Sequence, residues 1–374
     1  MSYMDYFQNS CRTNTKEDIK VIEGTCSSMC PEAEVILRKK EKLVHVLEVV
    51  GDKHKLVKRY ARPAADTNLA VAHNLRPFYI LKKTVDYLLF EVTKRTDVPI
   101  LVIYNFVTDR LRAVRQDMII QELKPNLRII LLEPMIRFHT YFGYLLCEES
   151  LNDYSPTLNR NFLLECLKTC LYSYDELDMK ITADPLDINI LMDNMLICSL
   201  ENKQQRLDRS LVEAIYVLTN LYDESPMWRL CRLKKSLRNA PAVRLAYRVA
   251  IASLHGNYVK VCKLIDKLCP LMFCAVALFL PRIQRAALRV VCAAYGGRAG
   301  VPGGALRGWL RLPAARVSRT LQHYGVAGDA GHVRCQRAAF REDAPLLPPS
   351  KIEDDHLEQK MNIDYILTYT HLDK

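Results

Sequence analysis

Residues 98–123 read VPILVIYNFVTDRLRAVRQDMIIQEL, the strongest helical pattern in the chain. Leu101, Tyr104, Val107, Leu111 and Val114 recur at three- and four-residue steps, which sets an apolar stripe along one face of a helix. Asp109, Arg110, Arg112, Arg115 and Asp117 crowd charge into the same turns. The stripe is expected in a core. The arginines either bind phosphate or pair with Asp109 and Asp117.

Toward the C-terminus the same periodicity returns at 126–147, 159–172, 187–200, 208–221, 226–237, 241–254 and 257–269. Pro125, Pro156, Pro185, Pro226, Pro241 and Gly256 separate these stretches. Short connections imply antiparallel neighbours. Many helices of similar length without strands point to an α-solenoid, although no strict repeat period is present. The apolar run Leu271 to Leu280 lies between Pro270 and Pro281. It is far short of the about 20 residues of a membrane span and reads as one buried helix.

Toward the N-terminus, Leu75–Arg95 reads as a helix opened by Pro77. GTCSSMCPEAEV at 24–35 reads as a tight turn entering a helix, with Pro31, Glu32 and Glu34 suited to its first turn. That helix is expected to continue through ILRKKEKLVHVLEVV and stop at Gly51. A basic connector follows, with Lys53, Lys55, Lys58, Arg59 and Arg62. Residues 1–23 are polar and weakly patterned, and read as a loose arm.

The end of the chain changes character. PRIQRAALRVVCAAY at 281–295 reads as a helix with Arg282, Arg285 and Arg289 on one face. A glycine-rich break, two further helices (ALRGWLRL and AARVSRTLQHYGV) and an alternating run, HVRCQRAAF, follow. Helix, helix, strand with a basic second helix is the order of a winged-helix module. Residues 281–344 hold eleven arginines and no lysine against Asp329, Glu342 and Asp343, so most of the chain's net charge of +11 lies there. Beyond them, 345–374 turns acidic and reads as a tail or wrapping segment.

The composition of the 374 residues, 49% apolar and 25% charged, is that of an ordinary globular chain. Thirteen cysteines without framework spacing, behind an opening with no apolar core, lead us to expect free thiols in an intracellular, non-secreted protein. Cys26 and Cys30 are spaced C-x3-C, but only Cys11, His45 and His54 are near in sequence, so a structural role is expected rather than metal binding. No phosphate loop, nucleophile elbow or H-E-x-x-H occurs, and the reading is of a non-enzyme without cofactor. His139 is expected to be a satisfied core histidine. Phe138, Tyr141, Phe142 and Tyr144 around it are expected in the core rather than as a base-stacking platform.

Several of these stretches, in order, resemble one family: that of the yeast suppressor-of-actin export scaffold and the germinal-centre-associated nuclear protein, the SAC/GANP family. GTCSSMCPEAE resembles its opening motif, carried here by Gly24, Thr25, Cys26, Cys30 and Pro31. VKRYARPAAD and NLRPFYILKKTVDYLL resemble its next block, and YNFVTDRLRAVRQDMIIQEL its arginine-rich helix with Arg110, Arg112, Arg115 and Asp117. RFHTYFGYLL, VRLAYRVAIASLHGNYVKVCKL and FLPRIQRAALRVVCAAY resemble its later helices. The resemblance covers about residues 22–345. It implies an all-α helical-repeat array, a PCI-like α-solenoid, capped by a C-terminal winged-helix subdomain. Another PCI-type protein and a small acidic subunit are the partners it implies, with RNA bound on the joint surface in mRNA export. Size and layout look most like the short members, which are associated with centrosome duplication and mitotic spindle progression.

The expected division is an arm at 1–23, a helical array at 24–280, a winged-helix-like basic module at 281–344 and an acidic tail at 345–374. Two functional readings follow. In one, a scaffold's winged helix meets RNA or DNA, with Arg282, Arg285, Arg289, Arg316, Arg319, His323, Arg334 and Arg337 as candidate contacts. In the other, the module docks centrosome or spindle proteins in the nucleus or cytoplasm, and Val317, Leu321 and Val326 are the contact positions. No membrane is expected to take part.

Overall fold

The computed structural model describes residues 22–62, 70–183, 207–295, 300–312, 314–328, 331–335, 339–351 and 363–368. These are mostly helical, and they divide into two units: 1–84 with 108–123, and 85–107 with 124–374.

In the first unit, α1 (Glu32–Lys40) has Glu32 and Glu34 in its first turn and Arg38, Lys39 and Lys40 in its last, matching the helix dipole at both ends. The expected continuation to Gly51 does not occur. Lys42 takes a left-handed φ of 54°, a 3-10 turn forms at Val46–Glu48, and β1 (Val49–Val50) pairs with β2 (Lys53–His54). The reason is Glu48. In an unbroken helix Arg38 and Glu48 would stand about 15 Å apart along the axis. With the helix broken, the Glu48 carboxylate is fully buried against the Arg38 guanidinium and accepts the N–H groups of His45 and Val57 at 3.0 Å each. Burial alone would raise this carboxyl, but Val57 N–H, Arg38, His45 N–H and Arg110 outweigh it and hold Glu48 below the usual carboxylate range.

Two helices contribute to both units: α2 (Phe78–Phe90) and α3 (Ile100–Ile120). The expected helix at 75–95 stops at Phe90, and a 3-10 turn at Val92–Lys94 ends the stretch. From Thr108 on, α3 belongs to the first unit, where Asp117 is fully buried. One Asp117 oxygen accepts Lys58 Nζ at 2.7 Å and the other Arg76 Nε at 2.7 Å.

The second unit is built on α4 (Pro125–Leu145) and α5 (Pro156–Ala183). Phe138 and Phe142 on α4 and Tyr104 form a ring cluster, joined edge-on by Tyr154. His139 is buried and meets Asn159 Oδ1 at 2.9 Å, so the core reading of His139 and its aromatic neighbours holds. The helix expected to end at Tyr172 runs eleven residues further. Its charged turns stay helical because Asp175 and Asp178 are neutralised by Arg209, Arg229 and Lys234. The helix expected at 187–200 lies outside the described residues.

Asp208 caps α6 (Arg209–Thr219) through a 3.0 Å bond from Leu211 N–H. The expected helix 226–237 is two, α7 (Ser225–Arg232) and α8 (Lys235–Arg238), split where buried Leu233 turns extended. Next come α9 (Pro241–Leu254), α10 (Tyr258–Ile265), α11 (Pro270–Ala277) and α12 (Leu280–Ala294). The apolar run read as one helix breaks between α11 and α12, whose axes differ by 64°, and Pro281 opens the new helix. No single described helix is long and apolar enough to cross a membrane.

After α12 come β3 (Gly300–Pro302), α13 (Gly303–Leu310), α14 (Ala314–His323), β4 (Ala327–Gly328) and β5 (His332–Arg334). The strands form an antiparallel sheet in the order β3–β5–β4. Gly325 holds φ +74°, and a side chain there would meet Ala339 O at 2.3 Å. The segment after the module carries a last turn of helix, α15 (Ile363–Thr368). Ile366 and Leu367 are buried, and Ile366 O accepts Arg137 of α4 at 3.3 Å. Glu353, Asp354, Asp355 and Glu358, which make the expected tail acidic, lie outside the described residues.

Two predictions come from the buried carboxylates. Asp117→Ala leaves Lys58 and Arg76 buried without their anion and should destabilise the fold by about 3–5 kcal/mol in denaturant unfolding. Glu133 on α4 is raised to about 7, chiefly by burial and against the pull of Arg137. A carboxyl raised in the folded state favours folding while protonated, so its contribution declines as pH climbs from the ordinary carboxylate range through about 7. Relative to wild type, Glu133→Gln should flatten the fall of stability across that window in thermal unfolding at stepped pH.

Candidate nucleic-acid and partner interface

The C-terminal module closes on its own core of Leu288, Val291, Val301, Leu306, Leu310, Val317, Leu321, Tyr324, Val326 and Val333. These apolar residues, at helical or alternating spacing, face inward. This corrects the expectation for Val317, Leu321 and Val326. They are at most 4% exposed and hold the module together, so they are not contact positions for a partner.

The candidate arginines divide into two groups. Arg282 lies over the Tyr222 ring, 3.7 Å from its centre. Arg285 donates to Ala344 O at 3.3 Å, and Arg289 pairs with Glu342 at 3.0 Å. Arg316 of α14 pairs with Glu148, and His323 meets Pro345 O at 2.8 Å. These five side chains are engaged within the chain. Arg319 on α14 and Arg334 on β5 are exposed and make no hydrogen bond or ion pair among the described residues, as does Arg307 on α13. Arg337 lies outside the described residues. The module therefore offers a smaller free positive surface than its eleven arginines suggest.

The motif residues of the first unit have structural work. A side chain on Gly24 would stand 2.4 Å from Leu75 O, and Gly24 N–H donates to Gln121 Oε1 at 2.9 Å. Thr25 and Cys26 N–H bond to Ala72 O and Leu75 O at 2.8 and 3.0 Å. The Cys26 thiol donates to Ser28 O at 3.2 Å. Burial, with Glu34 beside it, pushes the Cys30 thiol up to about 12, so it stays protonated. Pro31 is buried where α1 begins. Among the described residues no group of three or more His, Cys, Asp or Glu side chains is placed to hold a metal.

On α3, Arg110 pairs with Asp109 at 2.5 Å and with Glu48 at 3.4 Å. Arg112 lies over the Tyr60 ring at 3.8 Å, and Arg115 is buried. Of the two expectations for these arginines, pairing with Asp109 is seen for Arg110. One pairing expectation is corrected: Asp117 binds Lys58 and Arg76 rather than its helix neighbours. Sequence reading missed Glu48, which pairs with Arg38 and Arg110, and the roles of Lys58 and Arg76, which lie 59 and 41 residues from Asp117. No local spacing marks them.

Residues 29–329 match the SAC3/GANP family, a span that runs from α1 through β4. The chain belongs to that family. Protein xmas of Drosophila melanogaster is 27% identical over 249 residues, 64% of this chain and 11% of its own length. SAC3 family protein B of Arabidopsis thaliana is 26% identical over 329 residues, 83% of this chain and 18% of its own. SAC3 family protein 1 of Schizosaccharomyces pombe is 34% identical over 131 residues, 34% of this chain and 13% of its own. The matched region thus spans less than a fifth of each of these relatives.

The ion pairs at the module's edge set its free charge. Glu148→Gln with Glu342→Gln should release Arg316 and Arg289, so that the variant elutes from heparin at higher salt than wild type. Its stability should change by about 1 kcal/mol or less, as for other exposed pairs.

Proposed function

We propose that this SAC3/GANP family chain is a non-enzymatic scaffold, a PCI-like helical array capped by a winged helix. The module's topology carries the reading: α12, β3, α13, α14, then β4 and β5, in a sheet ordered β3–β5–β4. This order supports the winged-helix reading, in which α14 takes the place of the recognition helix and the β4–β5 pair that of the wing. Charged groups elsewhere fit a scaffold. Asp117 and Glu48 join segments of chain, and neither stands in a cleft facing a substrate.

In this reading the scaffold acts in centrosome duplication, spindle assembly and mitotic progression, in company with another PCI-type protein and a small acidic subunit. The support is the resemblance of the ordered motifs to the SAC/GANP family, whose short members are associated with centrosome duplication and spindle progression. The test is localisation of the tagged chain through the cell cycle, with centrosome counts after depletion. Normal centrosome number and spindles in depleted cells would reject it.

A second reading, an RNA-binding scaffold in mRNA export, is favoured by one observation: Arg319 and Arg334 are exposed and unpaired on the recognition helix and wing. Single-stranded RNA binding should weaken with salt, since each neutralised phosphate releases counterion. Arg319→Glu with Arg334→Glu should abolish most of that binding and reduce the salt slope, while Arg316→Glu, which removes a paired arginine, should matter less. Equal binding by the Arg319/Arg334 variant and wild type would count against the surface.

A further inference from the structure

A groove in the second unit takes no part in the readings above. It is lined from α5 by Asp175, Asp178 and Met179, from α6 by Arg209, and from α7 and beyond by Trp228, Arg232 and Lys234. Its volume is about 860 Å3, in the range of pockets that hold ligands or peptide side chains.

The floor of the groove is an ion network. Arg229 holds buried Glu213 through Nε and Nη2 at 2.7 Å each, and reaches Asp175 at 2.8 Å. Arg209 bonds Asp175 at 2.7 Å and Asp178 at 2.8 Å. Bidentate geometry fixes the orientation of these planes, so the floor is preorganised.

On this floor stand two large apolar side chains in solvent, Trp228 at 69% exposed and Met179 at 62%. Tryptophan dominates the energetics of protein interfaces, and methionine is enriched in them because its thioether adapts to varied shapes. The Trp228 indole N–H has no hydrogen-bond partner among the described residues.

The charge around the two side chains is unbalanced. Four cations, Arg209, Arg229, Arg232 and Lys234, stand against three carboxylates, Asp175, Asp178 and the buried Glu213, and all three carboxylates are already paired. Arg232 is exposed and unpaired among the described residues, as are Lys235 and Arg238 on α8.

We propose that this groove docks an acidic segment of a partner protein. A bulky apolar side chain of that segment packs between Trp228 and Met179, and its carboxylates meet Arg232 and Lys235. A nucleic-acid strand fits less well. Its backbone carries charge at every step and would run phosphates past Asp175 and Asp178, whereas a peptide can place acids opposite the free cations alone. A flat base would also use the indole and leave Met179 uncovered.

The chain has two tryptophans, Trp228 and Trp309. Trp309→Phe in the full chain therefore leaves Trp228 as the only indole. The probes are a short synthetic peptide with Phe and Leu among Asp and Glu, the same peptide with Asn and Gln for the acids, and oligouridylate. The acidic peptide should shift the Trp228 emission saturably and shield it from iodide, and the amide version should bind more weakly. Trp228→Ala should weaken peptide binding, read by anisotropy of a labelled peptide, about thirtyfold, the loss of one interface hot spot. Arg232→Glu should weaken it by a salt-dependent factor. Both positions are exposed, so circular dichroism should show both variants folded. An emission unchanged by the peptide overturns the proposal, as does wild-type affinity in both variants. Quenching by oligouridylate in place of the peptide overturns it in favour of nucleic acid, and an indole that iodide cannot reach in the free chain shows the groove already filled.

Discussion

Asp117 sits without solvent contact on α3, and the first unit closes two cations around it. Lys58 and Arg76 come to it from distant parts of the sequence, and each is tied again to the backbone. Lys58 Nζ also reaches Asn74 O at 2.6 Å, and Arg76 Nη1 reaches Met29 O at 3.3 Å. Gln121, one turn along α3, bonds Arg76 O and Asp117 O at 2.9 Å each while its own oxygen takes Gly24 N–H. A desolvated anion tolerates no misplacement of its cations, because each one lost leaves an uncompensated charge in low dielectric. The opening motif, the segment through Lys58 and the start of α2 are thereby locked to one register.

The same physics governs much of the positive surface. The chain is strongly basic, yet many of its cations are taken up inside the fold: by Glu48, Glu213, Asp175 and Asp178, by the Tyr60 and Tyr222 rings, and by carbonyls. Among the described residues, those left exposed and unpaired include Arg319 and Arg334 on the C-terminal module and Arg232, Lys235 and Arg238 on α7 and α8. A basic composition thus measures how many cations a chain has, and only the pairing shows how many remain for a partner.

Where function and packing share a period, the sequence was legible. The apolar stripe on α3, the core setting of His139 and the alternation of two helices and strands near the C-terminus all follow from local spacing, and the family resemblance rests on motifs in the same order. Helix ends were less legible. Nothing within a few residues of Lys40 announces that Arg38 will bond Glu48, so the amphipathic pattern through Val50 read as one helix. Leu233 sits in a stretch with helical spacing, yet its burial goes with an extended backbone that splits the helix, and the apolar run at 271–280 bends where Pro281 opens the next helix. Val317, Leu321 and Val326 show the converse: their spacing was right for a face, but the face points into the module.

α3 belongs to both units, and residues 85–107 interrupt the first of them in sequence. On the ribosome this sets an order of events. The first unit cannot close when Lys58 and Arg76 emerge, because its anion is made later, after a stretch that belongs to the other unit. For that interval the nascent chain presents two cations and the Cys26–Cys30 turn without their counterpart. The first unit therefore closes only after the C-terminal part of α3 and Gln121 have been made, however early its own helices form.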